Sequence, residues 1–361
     1  MDVETRLELI KRVGEEIITE QELKELLEIR DHPIAYDGFE PSGLAHVPFG
    51  IYRAINLEDL IKAGIRFKLL IADWHAWIND KMGGDLEKIR RVGEYFVEVW
   101  RAAGVDMNRV EVVWASDLAS SAEYWRKVIL VAKNTTLSRA IRCLTIMGRT
   151  KAELRETAQL FYPMMQSADI FYLGADICQL GLDQRRANML AREVGPKLGW
   201  WKPVVVSHHM LMGLEGVKEA EGYDENRRID VQISSKMSKS KPSTCLYVHD
   251  DGEQIRRKIL SAFCPERIVE GNPVLEYCRY IVFRKLNKLV IERPSKFGGD
   301  LEVSSYEELE KLFRAGEIHP LDLKNATAKA LNEIIKPVRK HFEGGKAKQL
   351  YEFVRGERIT R

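Results

Sequence analysis

The chain is predicted to be an α/β protein: a doubly wound parallel sheet with an inserted helical segment, followed by a C-terminal all-α domain. Apolar runs such as "RFKLLIAD" (66–73) and "VEVVWAS" (110–116) read as strands, the first apolar on both faces, as a sheet covered on both sides requires. Between them lie amphipathic stretches of helical length, and strands alternating with such helices argue for parallel crossovers. Beyond residue 250 the β alternation stops, which sets a boundary between 1–250 and 251–361.

Taken in order, residues 4–30 alternate charge with Leu and Ile at helical spacing, and Thr19 with Glu22 reads as a capping box. "IAYDGFEPSG" (34–43) reads as a strand running into a Pro-Ser-Gly turn. "INLEDLIKAG" (55–64) is a helix stopped by Gly64. Residues 85–103 form another helix, and residues 120–160 are mostly helical. "ADIFYLGAD" (168–176) is predicted to be a strand, "LDQRRANMLAREVG" (182–195) a helix, and "KPVVVSHH" (202–209) a strand. In the second part "DGEQIRRKILSAF", "NPVLEYCRYIVF", "SYEELEKLFRAG" and "ATAKALNEIIKPVRKHF" read as helices, with a small hairpin excursion at 292–303.

With 45% hydrophobic residues in 361, the chain can bury a sizeable core and fill two domains. The net charge of +2 leaves no global basic field, so contact with nucleic acid would rest on local patches. Five cysteines with no C-x-x-C pair point away from a disulfide framework or zinc site and towards a reducing, cytoplasmic setting. Neither an apolar leader nor a run of membrane-spanning length is present in the sequence, so no membrane partner is expected.

In open α/β sheets ligands bind beyond the carboxyl ends of the strands, so the chemistry is sought there. After the first strand come Glu40, Ser42, Gly43 and His46, and a helix predicted to start near Gly50 or Ile51, whose free N–H groups suit an anion. On local sequence His46 is equally a turn or core histidine and a phosphate contact. Asp73, Trp74 and His75 follow the next strand. Tyr162, Gln166 and Asp169, spaced four and three apart, share one helical face and could hydrogen-bond a small polar ligand. Asp183 is read as an N-cap, and Arg185 with Arg186 as a solvated pair or a basic contact. His208 and His209, adjacent on a strand, point to opposite faces and make a poor chelate. In "QISSKMSKSKPST" (232–244), Lys236, Lys239 and Lys241 crowd together as they would around a polyphosphate.

"KMSKS" (236–240), paired with the P-S-G-x-x-H turn at 41–46, resembles the signatures of class I aminoacyl-tRNA synthetases. "YDGFEPSG", "ADWHAWIND", "YPMMQSADI", "GLDQRRANMLARE", "FCPERIVEGNPVLEY", "RPSKFGGDL" and "HPLDLKNA" narrow the resemblance to the archaeal and eukaryotic-type tyrosyl-tRNA synthetases, over about residues 33–342. The resemblance implies a Rossmann-like catalytic domain, ATP and L-tyrosine as substrates, Mg²⁺ carried by ATP with no protein-bound metal, and tRNA(Tyr) as partner. It implies a homodimer formed through the helical insertion at about 116–149, with Trp125, Ile141 and Leu144 as contacts or as monomer core. It assigns Tyr36, Ala72, His75, Tyr162, Gln166, Asp169 and Gln184 to tyrosine. Glu40, Ser42, Gly43, His46, Gly213, Leu214, Lys236, Ser238 and Lys239 go to ATP, with His46, Lys236 and Lys239 catalytic. Arg185, Arg186 and Asp322 go to tRNA, Asp322 within an anticodon-binding C-terminal domain. The family's H-x-G-H turn is altered: Pro48 takes the glycine place, and Phe49 or Gly50 that of the second histidine. Lys239 is expected to supply part of the missing positive charge. The stretch 216–231 has no assignment.

Overall fold

The computed structural model describes residues 1–149, 153 and 156–357. Six strands form the main sheet: β1 (Gly14–Ile18), β2 (Ile34–Phe39), β3 (Arg66–Ile71), β4 (Val110–Trp114), β5 (Ile177–Cys178) and β6 (Val204–His208). Their spatial order is β1-β6-β5-β2-β3-β4, with β2 to β6 parallel and β1 antiparallel to β6. The chain winds outward from β2 through β3 and β4, then returns to the other side of β2 for β5 and β6. The order therefore reverses between β2 and β5, where a doubly wound sheet opens a crevice.

Alternate residues feed two cores. Ala35, Phe67, Leu69 and Val206 lie in one apolar cluster, and Tyr36, Leu70, Cys178 and Val205 in another. The period of two places Tyr36 on the face that carries the crevice. The first cluster continues without a break into C-terminal residues such as Ile255, Leu331 and Val354, so the boundary near 250 separates helical character but not the core. The C-terminal part comprises helices including Gly252–Ser261, Tyr306–Ala315, Pro320–His341 and Gly345–Gly356, and a hairpin of β7 (Leu289–Ile291) and β8 (Leu301–Val303). The capping box at Thr19 and Glu22 forms as expected, both bonds 3.1 Å long.

Four local expectations change. Residues 4–30 are not all helical: Gly14–Ile18 is the edge strand β1, whose Glu15 and Glu16 gave it a helix-like charge pattern. The sheet is accordingly mixed rather than wholly parallel. "ADIFYLGAD" is mostly helix, because Phe161–Tyr172 runs through it and the strand is only Ile177–Cys178. Tyr162 through Phe171 are all buried there, and the apolar run after Asp169 carried no polar residue to extend the helical period. The helix after the first turn begins earlier than Gly50, in a π turn Pro48–Tyr52 that leads into Arg53–Lys62.

The insertion comprises helices Ala115–Ala119, Ala122–Lys133 and Leu137–Cys143 and a 3₁₀ turn Leu144–Met147. Residues 150–152 and 154–155 of the expected 120–160 helical stretch, and 358–361 of the C-terminal domain, lie outside the described residues. Leu144 is buried in the chain's own packing, and the partly buried Trp125 donates its indole N–H to the Ala119 carbonyl (2.8 Å). Ile141 is partly exposed, and Ile129 and Leu137 are the large apolar residues that the insertion exposes most. Among the described residues no helix is long and apolar enough to cross a membrane.

Candidate active site

A cleft of ≈ 760 Å³ opens at the reversal point, above the ends of β2, β3 and β5. Its inner end is made by Tyr36, the last buried side chain of β2 on this face, with His75 after β3 and Asp169 from the helix Phe161–Tyr172. The Tyr124 hydroxyl donates to Asp169 Oδ1 (2.8 Å), and His75 Nε2 stands 3.2 Å from Asp169 Oδ2. Tyr36 Oη and His75 Nδ1 are buried without a hydrogen-bond partner among the described residues, while Asp169 Oδ2 and His75 Nε2 face each other. Leaving such groups unmet costs about 1–3 kcal/mol each. Together they form a socket for a ligand hydroxyl that can both donate and accept. Burial favours a neutral His75, but the Asp169 charge outweighs it and holds the imidazole above its ordinary value. Burial, aided by Cys178 and Asp169, pushes the Tyr36 phenol well up, so it stays a donor.

Midway along the cleft Tyr162 stands edge-on to His75 (4.9 Å, 83°), and its hydroxyl donates to Glu40 Oε1 (2.8 Å). Glu40 also accepts from Asn79 (2.9 Å) and faces Lys81 at 3.7 Å. Gln166 Nε2 donates to Gln184 Oε1 (3.1 Å), and Gln184 Nε2 to the Ile146 carbonyl (3.1 Å). Ala72 lines the same wall. Carboxylate and amide oxygens gathered here suit an ammonium group.

The outer end joins the two signature segments directly. Lys239 Nζ donates to Ser42 Oγ (2.7 Å), and Lys236 Nζ pairs with Asp183 Oδ2 (2.6 Å). Asp183 is thus the lysine's partner and not an N-cap; it lies in the 3₁₀ turn Leu182–Gln184 and makes no cap bond. Burial, with help from Lys81, lowers the Lys239 amine to about 8. Burial and then the two lysines depress His46 to about 3, so its imidazole is neutral, and its buried Nδ1 has no partner among the described residues. Ser238 lines the cleft beside them.

The place of a second histidine is filled by packing. Phe49 lies against Phe39, Phe96 and Trp100, with centroids 4.1–5.2 Å away. A Cβ on Gly50 would come within 2.7 Å of Val248 Cγ1, so even a methyl there would force its neighbours to shift and an imidazole has no room. Lys239 Nζ lies 5.9 Å from the Phe96 ring, over the same wall.

The model for class I tRNA synthetases (W and Y) matches residues 28–225 and 229–336. The tyrosine–tRNA ligase of Sulfurisphaera tokodaii is 48% identical over 95% of this chain and 94% of its own length. The cytoplasmic tyrosine–tRNA ligase 1 of Arabidopsis thaliana is 44% identical over 100% of this chain and 90% of its own length. This chain belongs to the tyrosyl-tRNA synthetases. A solved tyrosyl-tRNA synthetase of Pyrococcus horikoshii, complexed with L-tyrosine, superposes with a TM-score of 0.89 at 42% identity, covering 98% of this chain and all of that one.

Not every residue assigned from the sequence lines the synthetase's cleft. Gly43 shapes the turn behind it with φ of 105°. Gly213 and Leu214 stand behind the lysine loop: the Gly213 N–H donates to Ser235 O (2.9 Å) and that of Leu214 to Thr244 O (3.1 Å). Arg185 pairs with Glu16 (2.9 Å), and Arg186 Nη1 donates to the Arg142 carbonyl (2.6 Å). Asp322 lies in the first turn of Pro320–His341, in the C-terminal part. His208 and His209 diverge as expected, His208 towards Gln179 (3.2 Å) and His209 towards Glu276 (3.2 Å). Sequence reasoning missed Tyr124, Asn79 and Lys81, and also Lys218, Glu221 and Tyr223 on the outer wall. Tyr124 carried no local signal, because the insertion brings it to Asp169 from 45 residues away.

Proposed function

We propose that the chain is a tyrosine–tRNA ligase in which the inner socket reads the phenol and the two lysines meet the ATP phosphates. In the first step a tyrosine carboxylate oxygen attacks the α-phosphorus of ATP. A new O–P bond forms, the bond to the β-phosphate breaks, and pyrophosphate leaves with its electron pair. The carboxylate is already ionised at neutral pH and needs no base. Catalysis is then positioning plus stabilisation of charge on the phosphates, for which Lys236, Lys239 and His46 are placed. In the second step a terminal ribose hydroxyl of tRNA(Tyr) attacks the adenylate carbonyl, AMP leaves, and the hydroxyl proton passes to the leaving phosphate or solvent. Mg²⁺ enters as the counter-ion of ATP.

The observation that carries this reading is the socket itself: Tyr36 Oη, buried with no partner among the described residues, beside the Asp169 carboxylate that His75 and Tyr124 hold in place. Phenylalanine would leave the Tyr36 hydroxyl unmet, whereas the hydroxyl of tyrosine accepts from it and donates to Asp169. ATP–pyrophosphate exchange tests it. Exchange driven by tyrosine, with phenylalanine and tryptophan inert, is the expected result; exchange driven by tryptophan would overturn the reading.

Three further assignments belong to the same proposal. The exposed Ile129 and Leu137 of the insertion form part of a two-fold dimer contact. Residues 251–361 serve as the anticodon-binding domain, with Asp322 at its contact. Arg185, partly exposed beside Glu16, meets the tRNA acceptor end. The setting is the cytoplasm.

A further inference from the structure

The segment 216–226, which the sequence left without a role, runs along the outer wall of the cleft and contributes Lys218, Glu221 and Tyr223 to its lining. Its backbone is held by the helix Arg227–Ser235, the helix that delivers Lys236. The Lys218 N–H donates to Ser235 Oγ (2.8 Å) and that of Glu221 to Ser234 Oγ (3.0 Å). The Gly222 and Tyr223 N–H groups both donate to the Asp230 carboxylate (2.9 Å each). Asp230 is 4% exposed, so this double bond to the segment is shielded from water. At its far end the segment is tied to the insertion. Thr145 Oγ1 donates to the Tyr223 carbonyl (3.2 Å) and accepts from Arg186 Nη1 (3.3 Å), and Arg186 Nε faces Asp224 at 3.8 Å.

Thr145 is chain neighbour to Ile146, whose carbonyl anchors Gln184 and through it Gln166. A continuous line of hydrogen bonds thus leads from the middle of the cleft, through 145–146 and the segment, to the helix that ends at Lys236. We propose that this segment is a strap that sets the position of the lysine loop, and that Thr145 and Asp230, neither of which lines the cleft, are positioning residues for Lys236. Arg186 is then engaged in holding the strap. The inference rests on the reading above, in which Lys236 meets ATP.

The test uses the full chain carrying Thr145→Val, Thr145→Ser or Asp230→Asn, with ATP–pyrophosphate exchange, tyrosine affinity and thermal melting measured for each. Thr145→Val is expected to lower kcat/KM for ATP about tenfold, the weight of one part-buried hydrogen bond. Tyrosine affinity should stay within about twofold. Thr145→Ser, which keeps the hydroxyl, should restore the ATP parameter, and Thr145→Val combined with Asp230→Asn should cost less than the product of the two single losses. A merely structural role would lower the melting point and weaken both substrates together, which overturns the inference. Wild-type ATP parameters in a folded Thr145→Val protein also overturn it. Should Thr145→Val fail to fold, Asp224→Asn at the outer edge of the strap carries the same expectation. A wild-type protein inactive with tyrosine removes the parent reading; an active wild type with indifferent variants removes only the strap.

Discussion

At the inner end of the cleft, Tyr36 Oη and His75 Nδ1 are buried without hydrogen-bond partners among the described residues, and Asp169 stands against His75. At the outer end, Lys236 and Lys239 already rest on Asp183 and Ser42. The inner atoms sit on a strand, on the short helix Asp73–Ile78 and on the helix Phe161–Tyr172 braced by Tyr124, all of them packed elements. The outer cations lie on a loop after a helix C-terminus, partly exposed and already engaged by protein oxygens. On the proposed function, selection is preformed, whereas catalysis requires the lysines to exchange partners. Changes at one end should leave the other largely untouched.

Lys236→Ala and Lys239→Ala should give the largest effect. Each is expected to slow adenylate formation by about 10²–10³-fold, the usual cost of removing one transition-state donor. Tyrosine affinity, from equilibrium titration of the same proteins, should change less than about threefold. A loss confined to tyrosine affinity would break the division. Tyr124→Phe attacks the other end by freeing Asp169 Oδ1. It should weaken tyrosine by about 5–100-fold, corresponding to 1–3 kcal/mol for a buried group left unmet, with KM for ATP unchanged.

A pH profile sharpens the outer end. The Lys239 amine is lowered to about 8, so it is charged below that pH and neutral above it. kcat/KM for ATP should therefore fall about tenfold per pH unit above 8 in the wild type. Lys239→Arg, which keeps its charge throughout, should remove that alkaline limb. An identical limb in both proteins would assign the titration elsewhere. The smallest effect on activity is expected from Gly50→Ala. Its added Cβ meets Val248 and Val99, so urea unfolding should register a loss of about 1–3 kcal/mol while exchange kinetics hold.

Much of this site was legible in the sequence, for physical reasons that differ by residue. Lys236 and Lys239 stood out because like charges crowd into one short segment, whereas His46 was equally a turn or core histidine until its turn was paired with the lysine loop. Tyr162, Gln166 and Asp169 were legible as one helical face, even though the strand drawn directly after them proved to be helix. That error and the missed β1 have one origin: period is visible only where burial differs between faces. The apolar run after Asp169 carries no polar stripe, and an edge strand carrying Glu15 and Glu16 borrows a helical one. Tyr124, Asp183 as the Lys236 partner, and the 216–226 strap were hidden because their roles come from contacts 45, 53 and up to 78 residues apart in sequence.

The most direct measurement is a crystal structure of the protein with Mg²⁺-ATP and tyrosinol, which lacks the attacking carboxylate and cannot react. Lys236 and Lys239 should lie on phosphate oxygens and away from Asp183 and Ser42, while Tyr36, His75, Tyr124 and Asp169 keep their positions and close on the phenol. Lysines still seated on Asp183 and Ser42 beside bound ATP, or an inner socket rebuilt around the ligand, would contradict the account.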